Sequence, residues 1–177
     1  GDQITWTGVY TPTTDVEDAT NVLTLGTLWT DTAGNAYGGS ATPTANFTID
    51  TLAPDVPVLV VTDSEPGVDG TFTGDLLDGA HTDDTTLALS GTAEADSTLT
   101  LIGMGSSVTA TVDPSGNWTA TTTLLLDGNT YNASFTTIDI AGNVSATGTF
   151  VVTVDTTADV PVITGVADSS NLVESVS

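Results

Sequence analysis

Two segments of this chain occur twice. The pentapeptide Asp-Thr-Ala-Gly-Asn at residues 31–35 returns as Asp-Ile-Ala-Gly-Asn at residues 139–143, and residues 46–58 return, with small changes, at residues 149–162. The offset is roughly 105 to 108 residues, which is the size of one small domain. The sequence therefore predicts successive copies of one unit rather than a single continuous core.

The local pattern predicts β-strands. Short runs rich in Thr, Val and Leu are bounded by Gly, Asp, Asn and Pro, and residues 113–116 (Asp-Pro-Ser-Gly) are a strong turn signal. Seven such strands indicate an all-β fold of tandem immunoglobulin-like β-sandwich repeats with Greek-key antiparallel sheets. The predicted strands of the complete unit are residues 56–61, 86–91, 98–102, 107–112, 117–122, 130–137 and 148–154.

The repeat divides the chain into three parts. Residues 1–53 match the C-terminal half of a unit, residues 54–157 form a complete unit, and residues 158–177 match the first-strand region of a following unit. The simpler interpretation is a piece cut from a longer array. The alternative is that another chain donates strands to the half units, because an open half sandwich exposes unpaired edges and an apolar face.

The charge composition excludes several partners. The chain has no Lys or Arg, 23 acidic residues and one His, which gives a formal net charge of -23. Nucleic acids and anionic membranes are bound through Lys and Arg, so neither nucleic-acid binding nor direct membrane insertion is expected. The acids repel one another, and either they form a solvated surface or hard cations such as Ca²⁺ offset the repulsion through oxygen ligands.

The alternation of strand direction predicts where the acids meet. Three turns and the entry linker share one end of the complete unit, beside the preceding unit. Their oxygen-bearing residues are Asp50, Asp55, Glu94, Asp96, Asp113, Asp139 and Asn143. Six to eight oxygens satisfy Ca²⁺, so we expect an interdomain calcium site here, with Asp31 and Asp155 in the same roles for neighbouring units. Each residue alone is also explained as a good turn former.

A long acidic connection follows the first predicted strand. Structureless loops of this length are uncommon in compact domains unless they are functional or ordered by something. We expect it at the opposite end of the unit, either as a second calcium site or as a solvated flexible loop. Its candidate ligands are Asp63, Asp69, Asp75 and Asp83.

No residue pattern indicates catalysis, and we expect no enzyme. His81 has no Cys or second His beside it, and no nucleophile is placed for it. Trp118 and Tyr131 are expected in the core rather than on a sugar-binding platform. A carbohydrate-binding module is an alternative function, which would depend on exposed aromatic residues such as Tyr10 and Tyr37.

Four pieces of sequence resemble the bacterial immunoglobulin-like extender repeats of giant secreted RTX and biofilm surface adhesins. They are residues 89–98 (LSGTAEADST), 113–118 (DPSGNW), 139–145 (DIAGNVS) and 155–158 (DTTA). The resemblance covers the complete unit and both fragments, although the acidic stretch 63–84 is longer than the simplest repeats carry. It implies a secreted module on the bacterial cell surface that serves adhesion or biofilm formation.

The same resemblance implies partners and a cofactor. Neighbouring repeats of the same chain are the expected partners, and such extenders often bind Ca²⁺ at their junctions. A self-assembling filament subunit, completed by strand exchange between chains, is the alternative that follows from the half units.

Overall fold

The computed structural model of the protein describes residues 7–157, with gaps at 25, 27, 37, 41 and 65–72. These residues form eleven strands and no helix. The strands are β1 (Glu17–Asn21), β2 (Phe47–Asp50), β3 (Val60–Asp63), β4 (Gly74–Asp75), β5 (Ala80–Thr82), β6 (Ala88–Thr92), β7 (Thr98–Ile102), β8 (Val108–Thr111), β9 (Asn117–Thr121), β10 (Thr130–Ile138) and β11 (Gly148–Val154).

Two sheets face each other in the complete unit. One has the strand order β4-β3-β6-β9 and the other β5-β11-β10-β7-β8. The connections β6–β7, β8–β9 and β9–β10 each pass from one sheet to the other, as in Greek-key sandwiches. All pairs are antiparallel except β5 with β11. The predicted all-β immunoglobulin-like fold is confirmed.

Six of the seven predicted strands lie within two residues of the observed ones. The bounds of the first, residues 56–61, are wrong, because β3 begins only at Val60. Pro57 has no N–H to give to a ladder, and the chain here makes one bond, from the Val58 N–H to the Thr92 carbonyl oxygen at 2.8 Å. The segment runs beside β6 as a linker before it pairs as a strand.

The core is filled from both sheets. Leu89 and Trp118 come from the four-stranded sheet, and Leu99, Leu101 and Val152 from the five-stranded sheet; all are at most 2% exposed. Their alternation with exposed Thr and Ser along each strand is the period-two pattern that the sequence carries. The predicted core position of Trp118 is confirmed.

Tyr131 marks the start of β10 as a tyrosine corner. Its ring packs against the core, and its hydroxyl oxygen accepts a hydrogen bond from the Leu126 N–H at 2.7 Å. A tyrosine near the start of this strand, bonded to the backbone a few residues upstream, is a hallmark of immunoglobulin-like sandwiches. This contact explains why Tyr131 is half-buried rather than available as a platform for a ligand.

The long acidic connection contains two short strands, whereas the sequence predicts a single loop at the end of the unit opposite the junction. Its described part contains β4, which pairs with β3, and β5, which runs parallel to β11. The connection therefore adds one edge strand to each sheet: β4 extends the four-stranded sheet, and β5 extends the five-stranded sheet. Residues 65–72 lie outside the described residues.

The half unit forms a separate two-stranded sheet. In β1 and β2, Glu17 lies opposite Asp50 and Asn21 opposite Phe47. By the offset of 105 residues β2 corresponds to the end of β11, whereas by the offset of 108 residues β1 corresponds to residues 125–129, just before β10. The predicted third part, residues 158–177, lies outside the described residues.

Candidate functional site

The entry linker meets three turns at one end of the sandwich. The connections β6–β7, β8–β9 and β10–β11 lie at this end because successive strands alternate in direction. The Ala93 N–H donates to the Gly116 carbonyl oxygen at 3.0 Å, which joins the first turn to the second. Two buried prolines, Pro54 and Pro57, stiffen the linker by fixing φ. The three turns and the linker therefore share one end of the sandwich, as strand alternation predicts.

One five-residue turn occurs three times in the described chain, at residues 31–35, 113–117 and 139–143. In each turn the final Asn N–H donates to the carboxylate of the initial Asp at 2.8 Å. The glycines at 34, 116 and 142 have φ of 86°, 83° and 98°, a region that L side chains rarely adopt. The Asp residues therefore serve first as turn formers, which is the simpler explanation that the sequence offered.

The turn at 139–143 does something more. Asn143 Nδ2 donates to Asp139 Oδ2 at 2.8 Å, and it also lies 3.3 Å from both the carbonyl oxygen and Oδ1 of Asp50. Asp50 ends β2, so this side chain connects the half unit to the complete unit. Burial alone would raise the pKa of Asp139, which is 8% exposed, but hydrogen bonds from Asn143, Gly142 and Ala141 outweigh it and lower the pKa.

Glu94 lies at the electrostatic centre of the junction. Its pKa is raised, first by partial desolvation and then by repulsion from the carboxylates of Asp139, Asp50, Glu17 and Asp55. The repulsion acts on Glu94 even though its side chain is exposed, because repulsion between charges needs no burial. These four carboxylates come from the half unit, the linker and the β10–β11 turn, so both sides of the junction contribute negative charge.

The junction carboxylates are near one another without converging. Across the described parts of residues 7–157, no three His, Cys, Asp or Glu side chains stand close enough together to hold a metal ion. The donor chemistry does fit a hard cation, because the groups around Glu94 are carboxylates and Asn143 can offer a carboxamide oxygen. An ion here would require the side chains to turn toward one another.

The remaining predicted junction residues are placed differently. Asp96 shares the β6–β7 turn with Glu94 but is exposed and has a left-handed backbone, with φ of 62°. Asp113 caps its own turn and is not among the groups that raise the pKa of Glu94. Asp31 occupies the turn equivalent to that of Asp139. Asp155 caps the Thr157 N–H at 3.2 Å, as Asp50 caps the Leu52 N–H at 3.1 Å.

The structure separates the candidate ligands of the acidic connection. Asp63 is 2% exposed and accepts a hydrogen bond from the Thr82 hydroxyl at 2.7 Å. Asp75 lies opposite Thr62 in the β3–β4 pair and is exposed, so it faces away from its neighbour Asp63. Asp83 is half-buried, and Asp69 lies outside the described residues.

Two acidic residues beside the candidate sites were not singled out as ligands from the sequence. Glu17 faces Asp50 across the β1–β2 pair, and only the strand register could have revealed it. Asp84 is 1% exposed, and its carboxylate accepts hydrogen bonds from the N–H and hydroxyl of Ser64 at 3.1 and 3.0 Å and from the Thr86 N–H at 2.7 Å. Asp84 thus joins the two ends of the acidic connection. The sequence does not distinguish it from the other acidic residues of that segment.

Other chemistries find little support in the described residues. His81 is exposed on β5. Tyr10 is 59% exposed, and no second exposed aromatic ring accompanies it among the residues that the structure describes. Tyr37, the other ring named for a sugar-binding platform, lies outside the described residues. The described part of the chain also contains no helix that is both long and apolar enough to cross a membrane.

In the metal-free chain we expect the pKa of Glu94 to lie above its ordinary value and the pKa of Asp113 to lie below its own. Hydrogen bonds from the Asn117 and Ser115 backbones lower the pKa of Asp113, whereas the pKa of Glu94 is raised. Protonation of Glu94 therefore favours the folded state below its ordinary value, and this contribution disappears as pH rises through the folded value. The Asp113 contribution is present above its ordinary value and disappears as pH falls. Carboxyl carbon NMR in EDTA should show Glu94 taking up its proton first, and the reverse order would contradict this electrostatic description.

Comparison with known proteins identifies the family to which the sandwich belongs. A family model described as a bacterial Ig-like domain matches residues 60–156, which runs from the first residue of β3 to just beyond the end of β11. A search of curated proteins finds no match to this chain. The match spans more than half of the sequence and includes both sheets of the sandwich, so the chain belongs to the bacterial Ig-like domain family.

Proposed function

We propose that this chain is part of a calcium-binding extender in a secreted bacterial cell-surface adhesin, where Ca²⁺ stiffens the junctions between successive repeats for adhesion or biofilm formation. Bacterial Ig-like domains are typically non-enzymatic structural modules. The observation that carries the proposal is the meeting of acidic residues from both sides of the junction, where Asn143 Nδ2 contacts both Asp139 and Asp50. Desolvation, and then repulsion from the surrounding carboxylates, raises the pKa of Glu94 at the same place.

The absence of basic side chains gives these carboxylates their importance. In most proteins a Lys or Arg would offset five carboxylates at one junction, but this chain has neither. Hard divalent cations supply positive charge and accept oxygen ligands from carboxylates and amides. Asp50, Asp55, Glu94 and Asp139 are the proposed ligands, with Asn143 contributing its carboxamide oxygen.

Each proposed ligand belongs to an element with a different position. Asp50 ends the half unit, Asp55 lies between the two linker prolines, and Glu94 and Asp139 belong to turns of the complete unit. An ion that binds all of them would fix the linker against the sandwich and turn a hinge into a rod. Neighbouring repeats of the same chain are the proposed partners, and the exposed cell surface is the proposed location.

Glu94→Gln is expected to have opposite effects with and without calcium. In EDTA it removes a repelled charge, so the melting temperature should rise by about 2–5 °C, given a fraction of a kcal/mol per exposed pair. With calcium it removes a ligand, so affinity should fall by about tenfold, which corresponds to about 1.4 kcal/mol. Calorimetric melting and isothermal titration measure the two effects.

Asp113→Asn is the matched control for this experiment. It removes one negative charge from the same end of the sandwich, outside the group that acts on Glu94. Its calcium affinity should equal that of the wild type. Equal affinities for Glu94→Gln and the wild type would remove Glu94 from the proposed site.

A further inference from the structure

The junction has a neutral hydrogen-bond donor where a cation would be expected. Asn143 Nδ2 lies between the carboxylates of Asp139 and Asp50, at 2.8 and 3.3 Å, and also 3.3 Å from the Asp50 carbonyl oxygen. All three contacts are made to acceptors. Since the chain contains no Lys or Arg, a neutral N–H or O–H group is the only kind of side-chain donor, apart from its single His, that this protein can place between two acids.

We propose that Asn143 is a cation-independent clasp between successive modules, whose amide hydrogens hold the Asp50 linker against the turn of the complete unit. The inference deepens the spacer function proposed above, since it concerns how the same junction is held when no ion is bound. Asn143 is a positioning residue in this account, and the groups it positions are the proposed calcium ligands Asp50 and Asp139.

The sequence separation of the contact supports this role. Asn143 and Asp50 are 93 residues apart, whereas the bond from Asn143 to Asp139 is local. Among the hydrogen bonds described, those from Asn143 are the ones that join β2 to the β10–β11 turn. The distances of 3.3 Å are long, as expected when one amide is shared among three acceptors, so the clasp is weak and reversible.

A comparison within the chain isolates the clasp from the turn. Asn117 ends the equivalent turn at 113–117, and its backbone N–H caps Asp113 at 2.8 Å just as that of Asn143 caps Asp139. No described hydrogen bond connects the Asn117 side chain to the linker. The two asparagines therefore share the turn geometry, and they differ in whether the neighbouring module is in reach.

The halves of the clasp recur along the repeat. Asn35 donates to Asp31 Oδ2 at 2.8 Å, which reproduces the donor half in the preceding unit. Asp155 follows β11 and caps the Thr157 N–H, which reproduces the Asp50 half at the exit of the complete unit. The described chain therefore carries each half of the contact at a second position in the repeat.

The orientation of the amide makes the clasp compete with an ion. Its Nδ2 now faces the acids, but a cation between Asp50 and Asp139 would be coordinated by its Oδ1. Calcium binding then requires the side-chain amide of Asn143 to rotate, so that Oδ1 replaces Nδ2 on the side facing the two acids. Asn143→Asp, which places a carboxylate there, should weaken the junction in EDTA and raise calcium affinity.

Residual dipolar couplings of the full chain in EDTA test the clasp. In Asn143→Ala we expect the β1–β2 pair to lose part of its fixed orientation relative to the sandwich. The ratio of clasped to open junctions should fall about fivefold, as for loss of one ordinary hydrogen bond. Asn117→Ala should lose turn stability while keeping the wild-type alignment. The amide spectrum of each variant reports whether the sandwich is folded, and Asn143→Asp provides a second loosened variant.

Equal alignment in Asn143→Ala, Asn143→Asp and the wild type overturns the clasp, whatever calcium does. Loosening in both variants supports it. A separate calcium titration of the wild type then decides the proposed function, because an absence of calcium binding refutes the metal site and leaves the result in EDTA intact. Calcium binding without any change in the Asn143 side-chain amide resonances overturns the competition between clasp and ion.

Discussion

Millimolar calcium should raise the melting temperature of this chain by about 10–20 °C above its value in EDTA. An ion that binds only the folded state at a hundred times its dissociation constant adds about 2.7 kcal/mol of stability. A domain of about one hundred residues gains roughly 4–8 °C for each kcal/mol. The gain should be large here because the ion also relieves repulsion around Glu94 that no basic side chain offsets.

Ionic strength is the necessary control for this effect. Sodium chloride at matched ionic strength screens the repulsion between exposed carboxylates but cannot bridge them, so it should reproduce only a small part of the rise. Magnesium should also fall short, since it demands small octahedral sites and keeps its waters. Coincident melting curves in EDTA and calcium would contradict the calcium site.

Gly91→Ala should destabilise the complete unit by about 3 kcal/mol, the upper range for overpacking a tight interior. A methyl group there would overlap the Val58 carbonyl oxygen and approach the Trp118 ring at 3.1 Å. The backbone oxygen cannot move without breaking the bond from the Val58 N–H to the Thr92 carbonyl oxygen. The substitution therefore displaces the linker as well as the core, and it should also weaken the junction that positions Asp55.

Gly26→Ala is the matched control, because a methyl group at Gly26 meets nothing within 4 Å. Its free energy of unfolding should lie within about 0.5 kcal/mol of the wild type, as for ordinary surface substitutions. Urea denaturation followed by tryptophan fluorescence measures both variants. Wild-type stability in Gly91→Ala would show that the linker does not pack against β6 as described.

The sandwich was predictable because its strands follow the period-two pattern of a half-buried sheet. Leu99 and Leu101 point inward while Thr98 and Thr100 point outward, and the sequence shows that alternation directly. The first strand was misplaced because the apolar residues Val56 and Val58 continue the pattern where Pro57 prevents pairing. Pattern alone cannot separate a linker lying along a sheet from a strand within it.

For the candidate site, the sequence could predict which end of the sandwich each residue occupies, but not the contacts between the residues. Strand alternation placed Asp50, Glu94 and Asp139 at one end, and the structure agrees. The contribution of Glu17 depends on the register of a hairpin, and the separation of Asp63 from Asp75 depends on which face each occupies. Neither is visible in composition or spacing. The calcium ion itself stays a prediction.

The central claim is that divalent cations hold the modules of this wholly anionic chain in line. The absence of cysteine allows a direct measurement, with spin labels attached at Ala19→Cys on β1 and Thr109→Cys on β8, both exposed positions. In EDTA only the weak Asn143 clasp holds the junction, so electron–electron distance measurements should give a broad distribution that calcium narrows to a single peak. A distribution that keeps the same width in saturating calcium would contradict the claim.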